Sequence, residues 1–98
     1  MPKKQFPPTP HLIKWSSKVV YEVVKIKDFK DGNTLGECRS EPPQIVLKED
    51  QTAKAEFSCL IHEIFHLISF ETDAKLTEDQ VLKLEKGAMR LFKQNGWI

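Results

Sequence analysis

Two histidines four residues apart bracket a glutamate in the pentad His62-Glu63-Ile64-Phe65-His66. On an α-helix, positions i and i+4 stand one above the other on the same face. Neutral imidazole nitrogens are good Zn²⁺ ligands, so one helical turn can supply two corners of a tetrahedral site. Glu63 falls on the edge of that face, where a carboxylate can take a proton from a water activated by the ion. The chemistry this combination implies is metal-assisted hydrolysis of a peptide bond, with one Zn²⁺ per chain.

The surroundings of the pentad bear on that reading. On a helical wheel of ~100° per residue, Ser58, Ser69, His62, His66, Cys59 and Glu63 fall in one sector, interrupted mainly by Phe70. Leu67, Leu60, Ile64, Phe57, Ile68, Ile61 and Phe65 fill the rest. A helix apolar around most of its girth is buried in a core, and charged groups on its remaining strip need partners. A plainer reading makes the histidines a hydrogen-bonded core pair with Glu63 at the surface. Cys59, one turn before His62, either borders the metal or is an inert buried thiol.

A catalytic zinc site takes a third protein ligand, with water in the fourth position. His11, the remaining histidine, lies ahead of the first clear strand, and no H-x-x-G-x-x-H extension follows His66. Four carboxylates remain: Glu71, Asp73, Glu78 and Glu85. Glu71 lies ~180° from His62 if the helix continues, and so points away. Asp73 would face correctly but falls in a connection. Glu78 and Glu85 are seven residues apart and share a face of the next helix, bordering Val81, Ala88 and Phe92. A short connection makes the two helices an antiparallel hairpin that returns this face to the histidines. Both stay open on geometry. Glu78 also suits the dipole of a first helical turn, and Glu85 also suits an acceptor that orients a ligating imidazole.

The elements that must position these residues can be read in chain order. Residues 1–18 form a proline-rich arm and lead-in, with Pro2, Pro7, Pro8 and Pro10 giving an extended, loosely held segment. Residues 19–98 form the single domain. Residues 19–26 are rich in β-branched side chains and predict a strand. Asp31-Gly32-Asn33 is turn chemistry, residues 35–39 are a candidate second strand, and residues 44–48 a third. The central helix is capped by Asp50 or Thr52 and runs to about Phe70. Thr77-Glu78-Asp79-Gln80 reads as a capping box opening a C-terminal helix that stops at Asn95-Gly96. The expected fold is α+β: a two- or three-stranded antiparallel sheet on the histidine helix, followed by an antiparallel C-terminal helix. As the sheet edge beside that helix, Gln44, Ile45, Val46 and Leu47 would pair with an extended peptide substrate.

Fifteen basic and 14 acidic residues leave a net charge of +1, and 40% of the 98 residues are apolar. That balance predicts no pull on nucleic acid or an acidic membrane surface. Two cysteines, Cys38 and Cys59, fit a reducing compartment better than a disulfide scaffold. No secretory signal or membrane-spanning run is visible, so a soluble, cytoplasmic protein is expected.

Beyond the pentad, several stretches carry a family resemblance: Thr34-Leu35-Gly36-Glu37, Gln44-Ile45-Val46-Leu47, Cys59-Leu60-Ile61 leading into the pentad, and the closing Val81, Leu84, Gly87-Ala88, Leu91-Phe92-Lys93-Gln94-Asn95. Across roughly residues 19–96 the chain resembles short phage and prophage metallopeptidases, similar in outline to the gluzincin-like ImmA/IrrE-type zinc peptidases. The resemblance implies a third ligand followed by small or apolar residues at +3, +6 and +10, which Glu78, Val81, Leu84 and Ala88 match. It implies a minimal zincin-like enzyme acting on a peptide or protein substrate, in the host cytoplasm if phage-derived. Glu85 stands where that pattern has a small residue, and the connection from His66 to Glu78 is shorter than in larger peptidases. The alternative is a non-catalytic binding or regulatory module of the same descent, with a structural metal or none.

Overall fold

A computed structural model describes residues 6–98. Pro2 and the Lys3-Lys4 pair lie outside the described residues. The fold is α+β, with a four-stranded mixed sheet and two helices in the order β1 (Leu12–Lys14), β2 (Val20–Ile26), β3 (Gly36–Ser40), β4 (Pro43–Lys48), α1 (Ala53–Thr72) and α2 (Glu78–Gln94). Across the sheet the strands run β1-β2-β4-β3. The β1–β2 and β3–β4 pairs are antiparallel, and β2 and β4 pair in parallel with Val23 opposite Ile45.

Two features differ from the expected antiparallel sheet of two or three strands. Leu12–Lys14, expected in the lead-in, adds an edge strand to β2. The β3–β4 hairpin folds back so that β4, not β3, lies beside β2. Burial explains that order. Ile45, Val46 and Leu47 are buried on both faces of the sheet, as suits a central strand. β3 carries Glu37, Arg39 and Ser40, whose polar side chains tolerate an edge.

The core forms where Tyr21, Val23, Ile45 and Leu47 meet Leu60 and Leu67 of α1. Thr52 caps α1 by accepting the Ala55 N–H. Asp73 ends the helix in a left-handed conformation, its N–H donating to the Ser69 carbonyl. The Ser69 hydroxyl then accepts the Leu76 N–H at 2.8 Å, so this buried serine ties down the turn into α2. The capping box at Thr77 and Gln80 is fully formed. α2 returns antiparallel to α1, with Glu78 beside His66 and Phe92 beside Phe57. Only Val81 of α2 is fully buried.

The segment 6–10 is pinned rather than loose. Phe6 packs on Phe57 with ring centroids 5.7 Å apart, and the Thr9 hydroxyl donates to Glu56, which also pairs with Lys25 at 3.0 Å. Phe57 meets Phe92, and Phe92 meets Trp97, so an aromatic row joins this segment, α1 and the end of α2.

β3 approaches α1 closely at Gly36. A Cβ there would lie 2.5 Å from Cys59 Sγ, 3.1 Å from Glu63 Oε2 and 3.3 Å from Leu47 Cδ2. Glycine lets the two backbones come together. Gly36→Ala is expected to cost ~1–3 kcal/mol of stability by overpacking, with part returned by Cys59→Ala in the same chain. Urea unfolding of the double-mutant cycle measures this, and strictly additive costs would refute the contact.

Candidate metal centre

The strip left uncovered by sheet and core carries His62 and His66 on α1, and the first turn of α2 delivers Glu78 to them. Glu78 Oε1 is 2.6 Å from His62 Nε2 and Oε2 is 2.8 Å from His66 Nε2. These three side chains offer ligand atoms all within 4.8 Å of one another, the only group of its kind among the described residues. The Thr77 cap fixes the backbone of that first turn, and so the place from which Glu78 projects. Two imidazoles and a carboxylate are a donor set that suits zinc.

The other candidates lie elsewhere. Glu71 Oε1 accepts the Tyr21 hydroxyl at 2.7 Å, on the sheet side of α1. Asp73 is spent as the exposed helix terminus. His11 is exposed at the start of β1, its carbonyl taking the Val23 N–H. Glu85 reaches the far side of the His62 ring, with Oε1 2.9 Å from Nδ1, and its Oε2 accepts the Ser58 hydroxyl at 2.7 Å. Tyr21, the lone tyrosine, is buried against Glu71, and burial and that carboxylate raise its pKa.

Glu63 is 5% exposed, facing Gly36 on one side and the histidines on the other. Burial pushes its pKa up to about 7; His62 pulls the other way, while Glu78, Glu37 and Glu85 add to the rise. Burial opposes protonation of His62, yet hydrogen bonding to Glu85 and the nearby Glu63 and Glu78 raise its pKa on balance. For Glu78, burial is outweighed by the two imidazoles, which lower its pKa. Three carboxylates, Glu63, Glu78 and Glu85, thus stand about the two imidazoles, while Glu37 is paired with Arg39 at 2.9 Å. Burial holds the Cys59 thiol up at about 12, with Glu63 contributing, so it stays protonated.

Two cavities flank Glu63. One, of about 480 Å³, is lined by Leu35, Ala55, Ser58 and Cys59 on the side towards the start of α1. The other, of about 290 Å³, lies towards Phe70, with Glu37 and Cys38 on its wall. Gly36, His62, Glu63 and Glu78 border both. The open strand edge here belongs to β3, and this corrects the expectation for Gln44, Ile45, Val46 and Leu47. Both edges of β4 are occupied, one by β2 and the other by β3. The Lys48 N–H bonds to the Leu35 carbonyl, and Gly36 opposes Leu47. By antiparallel alternation, the N–H and C=O of Gly36 and Cys38 point outward.

Sequence reasoning missed Ser58 and Gly36 as parts of this site. A glycine inside a strand pattern is a signal of close backbone approach. Nothing local marks Ser58 as the partner of Glu85. No protein-family model, curated protein or solved structure matches the chain.

The raised pKa of Glu63 has a consequence for the chelator-treated protein. The fold favours its protonated form, so its contribution to stability is complete below about pH 4.5 and lost as pH rises through about 7. The stability of Glu63→Gln relative to wild type is therefore expected to grow across that window and then level off. The change is ~3 kcal/mol at ~1.4 kcal/mol per pKa unit. Urea unfolding across pH checks it, and a constant difference would show that the carboxylate is not buried.

Proposed function

We propose that the chain is a minimal zinc-dependent metallopeptidase, with His62, His66 and Glu78 holding the ion. The observation that carries this reading is the meeting of both Nε2 atoms with one carboxylate, beside the buried Glu63. Zinc, when bound, would supply polarisation of the scissile carbonyl and a lowered pKa for water.

The protein's own residues supply the rest. An extended peptide adds to the outer edge of β3, where the backbone groups of Gly36 and Cys38 hold its main chain. Its flanking side chains enter the two cavities. Glu63 takes a proton from the attacking water and passes it to the departing amine nitrogen. Its position between the two cavities puts it beside a peptide lying across both.

Competition titration with a zinc chelator, run beside cleavage of a peptide library read by mass spectrometry, tests this. Wild type is expected to bind about one zinc and to cleave. Glu63→Gln keeps the ion but loses ~10²–10⁴-fold in rate, while His66→Ala and Glu78→Ala lose both. Zinc uptake with no cleavage of any peptide would instead favour a binding module with a structural metal.

A further inference from the structure

Glu85 differs from Glu78 in where its oxygens go. Its side chain is 16% exposed, against 71% for Glu78, and its oxygens go to Ser58 and to the outer nitrogen of His62. Oε2 accepts the Ser58 hydroxyl, which holds the carboxylate from the α1 side. Oε1 lies 2.9 Å from His62 Nδ1. When an ion takes the Nε2 lone pair, Nδ1 is the ring nitrogen left to carry the hydrogen, and Glu85 Oε1 is placed to accept it. Nε2, the opposite nitrogen, faces Glu78 and the ligand cluster. His66 has contacts only at Nε2 among the described residues.

We propose that Glu85, clamped by Ser58, is a positioning residue that locks His62 as its Nδ1–H tautomer and aims Nε2 into the metal centre. The proposal rests on the metal reading above and extends it to a residue outside the set of ligands. α2 grips one imidazole at both nitrogens, from Glu78 at its first turn and Glu85 two turns on. A ring held at both ends cannot rotate or exchange tautomers freely, and such partners of ligating histidines raise metal affinity. The matching ring of His66 is oriented from one side only.

The test compares wild type with Glu85→Ala, Glu85→Gln and Ser58→Ala by two readouts independent of peptide cleavage. Zinc affinity, from chelator competition, is expected to fall ~10–100-fold in Glu85→Ala. Glu85→Gln keeps an acceptor for Nδ1–H and recovers most of that loss, and Ser58→Ala gives a smaller loss in the same direction. In the zinc-loaded protein, NMR should show an exchange-protected His62 Nδ1–H proton that persists in Glu85→Gln and disappears in Glu85→Ala. Equal zinc affinity in wild type and Glu85→Ala, or an unchanged Nδ1–H signal, would overturn the role of Glu85 while leaving the metal centre standing. A wild-type chain that takes up no zinc would overturn both.

Discussion

A twenty-residue helix that is apolar around most of its circumference must be covered on two sides, and this chain has one sheet and one further helix to do it. The sheet takes Leu60 and Leu67, and α2 lies along another side through Val81 and Phe92. What remains is a seam where sheet, α1 and α2 all come near without closing. His62, His66 and Glu63 lie on that seam because their helix positions are those the apolar stripes leave over. The site is therefore a product of how the helix is buried, as much as of the residues that occupy it.

Charge then shapes the seam. Glu63 is buried under the glycine of β3, with His62 beside it and Glu37, Glu78 and Glu85 approaching from strand and helix. The arrangement holds the pKa of the glutamate up and draws His62 towards its protonated form. Placing several carboxylates around two imidazoles makes poor sense as core packing, since buried charge is costly without compensation. It suits a place where positive charge arrives from outside.

The helices were the legible part of the sequence. Thr52 and Thr77 cap them as their side-chain chemistry requires, and the i, i+4 spacing of the histidines needs only a helix to become geometry. Spacing alone left Glu78 and Glu85 equal as the carboxylate that meets both imidazoles. The sheet was less legible. β2 and β4 pair in parallel across twenty-two positions of sequence, and nothing in either strand names its neighbour. The apolar run Ile45-Val46-Leu47 was itself a sign of a strand covered on both faces, at odds with an edge. Glu85 could not be resolved from Ser58 and His62 because their meeting exists only once α2 has folded back.

α2 has one fully buried side chain, so its attachment comes from its two ends. The aromatic row from Phe6 to Trp97 fastens the far end, and the carboxylates on the imidazoles fasten the near one. The residues suited to chemistry are thus also half of what moors the last helix. Such a chain has little freedom to drift: a substitution among these side chains also slackens the architecture that holds them.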